Sequence, residues 1–489
     1  MTVALIATVT LGSSCQKNGD RNPALVPSVV LRVGVAQVTA ANPINGLRQV
    51  AQLLAVEGLA RLGEDGRMQP WLAENWSSTN AGRGLLVNLR SNARFHDGSQ
   101  LNADSIATIL PDALRSFMGP LSSDFDYVRA VGTNSVEIGF RAASPFLLES
   151  LEVSIQKPGN PMIGTGPFML VPNSTTELRV NPHYYLGRSP IERIQVANYP
   201  SVRAAWADML RNRLDVLWDV GADALNSMKN SSTVSVFAFT RRYQHVIAFN
   251  SHSAALKSAN VRRALSLAVD RAAVVHNALN DYGIASEGPI WLHHWALREN
   301  LPHFEFQPSQ AADILRSSRR NATPLRFTCL VSPDSRDERI ALEVKRQLAA
   351  IGVDMTIEEA SRDQIVQRAG RQQFEAAIFE VVSGPTLFRP YLVWHSKAPL
   401  NWGDFGNQTV DAALDQLRRA PSEDTYRLAV DNLQKSFMDD PPAIFLAWSI
   451  TSRAVSNQFV VSAPEPGRDI LSTLRLWKPA TDRTPASRN

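Results

Sequence analysis

Residues 248–275 read AFNSHSAALKSANVRRALSLAVDRAAVV. The stretch begins as the end of an apolar run of strand length, HVIAFN at 245–250, and crosses a polar loop. It continues in NVRRALSLAVDRAAVVHNAL, where Val261, Ala264, Leu265, Ala268 and Val269 fall on one stripe and predict a single long amphipathic helix. A strand that feeds an amphipathic helix is the repeating unit of a mixed α/β fold.

The same alternation extends in both directions. Upstream, VVLRVGVAQ from Val29 predicts a strand, TAANPING a loop, and the spacing in 52–60 a helix ahead of the EDGR turn. LLVNLR places Leu85, Val87 and Leu89 on one face, as in a half-buried strand. In NARFHDGSQLNADSI (92–106), Asp97-Gly98 predicts a turn and Asn102 a helix cap, with Asp104 in the first turn and Pro111 as a later break. His96 in this stretch reads as a residue that stabilises the turn. VEIGF and GTGPFMLV predict further strands, and RAAWADMLRNRLDVLW a helix carrying Ala205, Met209 and Leu210 before a strand at 214–218. Downstream, RDERIALEVKRQLAAIG predicts a helix closed by Gly352 and followed by the strand VDMTIE. FEAAIFEV is a strand, TVDAALDQLRRA and DTYRLAVDNLQKSFMDD are helices, and AIFLAWS is an apolar line near the end. There is no internal repeat and no long linker.

With 489 residues the chain exceeds what one core of ~250–300 residues accommodates, so two or three lobes are expected. Its 44% hydrophobic and 20% charged residues exclude wholesale disorder. The net charge is only +4, and basic residues such as Arg241-Arg242, Arg262-Arg263 and Arg319-Arg320 are scattered pairs, so no nucleic-acid partner is expected. The 29 Pro and 10 Trp lean toward a loop-rich protein with aromatic surfaces for small organic ligands.

Of the two cysteines, Cys329 lies in the apolar run PLRFTCLV and reads as a small buried hydrophobe. Cys15 follows TVALIATVTLGSS, which resembles an export signal of the bacterial lipoprotein type and would make Cys15 a lipidation site. The pattern is imperfect, since no Lys or Arg precedes the run and Leu11 stands four positions before the cysteine. A first strand with a buried cysteine stays open as the alternative. No later run reaches the ~20 apolar residues that span a bilayer. QKNGDRNPALVPS then reads as a tether, so 1–27 is set apart from the folded chain.

Several segments together resemble family 5 of the bacterial extracellular solute-binding proteins, which serve ABC importers of peptides, nickel complexes and some sugars. VEGLARLGEDGRMQPWLAENW resembles the family's opening phrase, and NLRSNARFHDGSQLNADSI the phrase that follows it. GTGPFML, LRVNPHYY and RNRLDVLW match the next landmarks in order, and 248–275 matches the helix phrase "FN … VR-x-A-x-x-x-A-x-DR". The resemblance implies a bilobal periplasmic-binding-protein-like clamp, type II in its large cluster C form. Lobe I would be 28–50 with 163–244 and 457–489, 51–162 an extra subdomain of that lobe, and 245–456 lobe II. A solute held between the lobes would shift the equilibrium toward closure by its differential contacts. The implied partners are an ABC permease and its ATPase. A monomer in the periplasm or at the cell surface is expected, with a membrane tether through Cys15, no enzymatic activity, no cofactor and no metal.

For peptide-binding members, the family pattern places an aspartate just after the strand FEAAIFEV, where it holds the ligand's α-ammonium. Here Val382, Ser383 and Gly384 occupy that region and no Asp follows, while Glu380 lies within the strand. The aromatic residues Trp291 and Trp295 in GPIWLHHWAL and Trp402 in NWGDFGN are candidate platforms for rings or apolar groups. The expected ligand-binding residues are Gln37 and Asn42 in the loop after the first strand, His245 where lobe II opens, Trp291, Ser383, Trp402 and Asp404. Asp404 can also cap the following helix. His293, His294 and His303 invite a metal reading, but no Cys or close carboxylate completes a set. Alternatives are an oligosaccharide- or metal-chelate-binding member, a ligand-sensing regulator, or a glycan-acting enzyme with paired carboxylates. No Gly-x-Ser-x-Gly, His-Glu-x-x-His or phosphate-loop motif occurs.

Overall fold

An 11-stranded sheet runs through the computed structural model, which describes residues 28–36, 44–160, 163–298, 303–318 and 324–480. At one end, Val30–Ala36 lies parallel between Arg193–Tyr199 and Val216–Leu217. At the other, Leu325–Val331 pairs in parallel with Val353–Glu359 and Ala376–Val382. Two long antiparallel strands, Val234–Phe249 and Ala443–Ser456, join the ends. Their pairing runs from Val234 to Thr240, breaks, and resumes at Gln244 opposite Trp448.

Apolar residues collect around both ends. Leu31, Val33, Leu47, Val50, Ile194, Val455 and Trp477 pack at the first, and Ile247, Phe249, Leu265, Phe327, Val344 and Ile444 at the second. A separate four-stranded sheet, built from Ala73–Thr79, Gly84–Leu89, Ser135–Phe140 and Phe125–Ala130, packs with the helix Ala103–Met118. Leu85, Val87 and Leu89 are buried there, as their alternation requires. The cluster continues without interruption into Phe388, Leu414 and Val430 of the downstream helices. Each large side chain buried this way contributes roughly 1.5–3 kcal/mol. Glu57 ties the same subdomain to the first end of the sheet: it accepts from Trp71 Nε1 (2.7 Å), Thr165 Oγ1 (2.9 Å), Tyr184 OH (2.6 Å) and Tyr185 OH (3.2 Å).

Three expectations are corrected. The helix expected at 52–60 is Ile44–Leu54, because Leu47, Val50, Ala51 and Leu54 make its buried stripe. It stops where the Gly166 N–H takes the Ala55 carbonyl (3.1 Å), and residues 57–62 become short strands. Pro111 does not break its helix, because Ala103–Met118 buries Ile106, Ile109, Leu110 and Leu114 on one side and that packing outweighs the missing donor. The single helix expected from Asn260 onward is two, Ala259–Leu267 and Arg271–Leu279. Asp270 caps the second by accepting from Ala273 N (3.0 Å), and Arg271 donates to the carbonyls of Ser266 (3.2 Å), Val269 (3.1 Å) and Phe445 (2.8 Å). The aspartate and arginine of the "DR" phrase are thus a cap and a plug for freed carbonyls.

The 92–106 stretch forms as expected. Asn102 and Ser105 make a capping box, Gly98 takes a φ of 84°, and Lys157 pairs with Asp97. His96 joins this turn to the 164–166 segment. Its Nδ1 accepts from Gly164 N (3.3 Å), and its Nε2 meets the Gly166 carbonyl (3.1 Å). A carbonyl can only accept, so Nε2 carries the proton and the ring is neutral. Burial pushes its pKa down to about 4.

Candidate functional site

The EDGR turn and the segment after Pro289 meet across the molecule. Trp291 Nε1 donates to the Glu64 carbonyl (2.7 Å), and the backbone N–H of Trp295 to that of Asp65 (3.0 Å). Gly66, at φ 80°, allows the approach, since a Cβ there would stand 2.5 Å from the Pro385 carbonyl oxygen. Arg67 in the same turn reaches Glu423 (2.9 Å) at the start of the helix Glu423–Asp439.

Behind this junction lies a cavity of about 810 Å³. Met68, Leu85 and Phe146 line one side; Trp295, Tyr426 and Thr386 line the other. The second wall is a stack of rings: Trp295 on Tyr426 at 5.2 Å and 21°, and His294 on Tyr426 at 5.9 Å and 9°. Arg67 stands 4.5 Å from the Trp295 ring centroid and fixes its position. His294 is buried, accepts from Ala296 N (3.1 Å), and burial lowers its pKa to about 4. Glu149, carried on the Ser144-capped turns Pro145–Glu152, brings a buried carboxyl to the cavity. Burial, reinforced by Glu152, pushes its pKa up to about 8, against the opposing pull of the Thr386 hydroxyl, Arg389 and Arg242.

The residues expected to bind ligand fall elsewhere. Trp291 and Ser383 are buried together beside the cavity: Ser383 Oγ donates to the Pro289 carbonyl (3.1 Å), and Trp291 packs edge-on to Trp448 at 4.8 Å. A Cβ on Gly384 would lie 2.8 Å from the Trp291 ring, so these indoles fill the space that a side chain at 384 would need. His245 borders a separate small cavity of about 20 Å³ with Asp219, Arg336 and Thr451. Trp402 packs on Phe379 at 4.7 Å, and the exposed Asp404 bonds to His252 (2.6 Å) on a different part of the surface. Asn407, not Asp404, caps the helix that follows. None of these five lines the large cavity. Gln37, Asn42 and Cys15 lie outside the described residues.

Around His245, Ser449 donates to Glu380 Oε1 (2.7 Å) and accepts from His245 Nε2 (3.0 Å). Burial lowers the imidazole to about pKa 4. Burial alone would raise Glu380, but the imidazole, Arg241 at 3.2 Å and the serine hydroxyl outweigh it and hold the carboxyl below its ordinary range. Glu380 is therefore a half-buried partner of Ser449 and Arg241. The acid touches the hydroxyl and leaves His245 Nδ1 without a partner among the described residues, which is not the order that activates a serine nucleophile. Among the described residues, no three His, Cys, Asp or Glu groups are placed to hold a metal ion, and no helix is long and apolar enough to cross a membrane.

Of the two tryptophans singled out in 289–297, Trp295 lines the large cavity and Trp291 is buried beside it. Tyr426 was indistinguishable from any core residue of an amphipathic helix. Glu149 had a signal, a carboxyl inside the apolar run PFLLESL.

Residues 67–400 match the model of the bacterial extracellular solute-binding proteins, family 5 Middle. The chain is 22% identical over 404 residues to the probable D,D-dipeptide-binding periplasmic protein DdpA of Escherichia coli, covering 77% of this chain and 78% of that one. It is 21% identical over 455 residues to the oligopeptide-binding protein AppA of Bacillus subtilis, covering 83% of each. Its fold is similar to that of NikZ from Campylobacter jejuni in complex with Ni(L-His), with a TM-score of 0.77, 20% identity, and coverage of 92% of this chain and 100% of that one.

Proposed function

Because the chain belongs to family 5 of the bacterial extracellular solute-binding proteins, we propose that its 810 Å³ cavity is where it captures a solute, peptide-like or another small organic molecule. Members of the family are solute-binding components of ABC importers and deliver what they bind to a membrane permease. The observation that carries the assignment to this cavity is its construction. Two pairs of segments remote in sequence, 66–85 with 143–149 and 294–295 with 420–426, wall a space of the size that small-molecule sites occupy. Arg67 to Glu423 and Arg418 to Asp124 connect the same two sides of the molecule.

The division into lobes fits this reading. Residues 28–50, 163–244 and the tail from 457 form one lobe with 51–162 as its added subdomain, and 245–456 form the other. Separate apolar clusters at the two ends of the crossing strands support the division between the two lobes, while the core of the added subdomain runs on into helices of the second. The protein acts outside the cytoplasm as a monomer, held to the membrane through Cys15, and breaks no bond in its ligand.

Thermal-shift screening of purified protein against peptides, oligosaccharides and metal chelates tests the reading, because a ligand bound only by the folded state raises the melting temperature. A Leu85→Trp variant, which narrows the cavity, should weaken the shift. Turnover of a model glycoside or ester, with no solute shifting the protein, would overturn it. Fatty-acid labelling tests Cys15: an unlabelled protein that retains the apolar run removes the anchor.

A further inference from the structure

Two carboxyl groups border the large cavity, Glu423 and Glu149. Glu423 is exposed and engaged by Arg67. Glu149 is 7% exposed, and its hydrogen-bond partner is the Thr386 hydroxyl. The charged and titratable groups facing it come from four elements: Glu152 from its own turns, Arg242 from the strand Val234–Phe249, Arg389 from the helix Phe388–Trp394, and the Tyr426 phenol from the helix Glu423–Asp439. Arg242 is already paired with Glu152. Arg389 lies over the rings of Phe117 and Phe388, at 4.7 and 5.3 Å, and forms no ion pair with Glu149. Among the described residues, Glu149 thus sits at a large cavity with no ion-pair partner.

Holding a carboxyl there is costly unless it keeps its proton or gains a counter-charge. A glutamine would make the same bond to Thr386 without that cost. What a glutamate adds is a negative charge available when a cation arrives. We propose that the cavity takes a small organic cation, a primary ammonium or guanidinium on an aromatic or apolar body, and that Glu149 is the counter-charge that seats it. The inference rests on the cavity being the solute site. Met68, Leu85 and Phe146 offer the apolar surface for the body, and the Trp295 and Tyr426 stack walls the other side.

Binding then exchanges one proton: the neutral Glu149 carboxyl and the ligand cation become a carboxylate–ammonium pair, and the proton passes to solvent. Glu149 alone holds its proton up to about pH 8, so the dissociation constant should fall by about tenfold per pH unit from pH 6 to 8 and flatten above.

Isothermal titration calorimetry with 2-phenylethylamine, 2-phenylethanol and 3-phenylpropionate at pH 6, 7 and 8, in buffers of different ionisation heat, tests this. The amine should bind with release of about one proton, and the alcohol and the acid at least tenfold more weakly. Glu149→Gln should fold as the wild type does and lose both the amine and the pH dependence. Equal binding of the alcohol or acid, pH-independent binding, retention of the amine by Glu149→Gln, or no amine binding at all overturns the proposal. If peptides or nickel–histidine raise the melting temperature and the amine does not bind, the cation inference falls and the solute site stands. If the amine binds Leu85→Trp with unchanged affinity, the assignment of the site itself falls.

Discussion

Replacing His96 with alanine should destabilise the protein near neutral pH and lose that effect in acid. The neutral imidazole accepts from Gly164 N and donates to the Gly166 carbonyl. Asn181 Nδ2 also donates to that carbonyl (3.0 Å), so the group left without its partner in the variant is the Gly164 N–H. One orphaned donor, one lost bond and a small void come to about 2–3 kcal/mol at pH 7.5. The wild type, however, must hold a neutral histidine at a folded pKa of about 4 against about 6.5 unfolded. A folded pKa depressed below the unfolded one gives stability that is complete above pH 6.5 and is lost as pH falls through 4. At pH 4.5 the loss amounts to about 2.5 kcal/mol, which the alanine variant does not suffer. The two stability curves should therefore converge near pH 4.5. Urea unfolding of both proteins at pH 7.5, 6 and 4.5 measures the gap. A gap that stays constant across that range refutes the neutral, doubly bonded ring, and a large loss of solute affinity by the folded variant refutes its purely structural role.

Three further outcomes follow from the packing. Gly384→Ala should cost about 1–3 kcal/mol and alter the near-ultraviolet circular dichroism, because its Cβ collides with Trp291 at 2.8 Å. Arg271→Met should cost about 3 kcal/mol or more in chemical denaturation, since the carbonyls of Ser266, Val269 and Phe445 lose a buried donor together. Cys329 is fully buried and its thiol is pushed up to about pKa 12 by that burial, so it should resist a thiol-specific disulfide reagent in the native protein at pH 8 and react in urea.

The fold was legible where periodicity and turn chemistry agree. Leu85, Val87 and Leu89, the Asn102 cap and the Gly352 stop each depend on neighbours within a few residues, and sequence spacing carries that information. The errors arose where distant backbone decides. The helix ending at Leu54 is cut short by Gly166, over a hundred residues away, and the break at Asp270 is sealed partly by a carbonyl of Phe445. The site was less legible for the same reason. Trp291 and Trp295 are equivalent by composition and local pattern, and only the register of the 289–297 segment against the EDGR turn sends one ring into the interior and the other to the cavity.

The two strands that join the ends of the sheet have a mechanical consequence. Side by side and hydrogen-bonded along most of their length, Val234–Phe249 and Ala443–Ser456 resist being pulled apart or slid past one another. Their register shifts between Thr240 and Gln244 and again between His245 and Val246, so the ladder is interrupted there. A twist of one end against the other would be taken up at that interruption before either flanking ladder had to break.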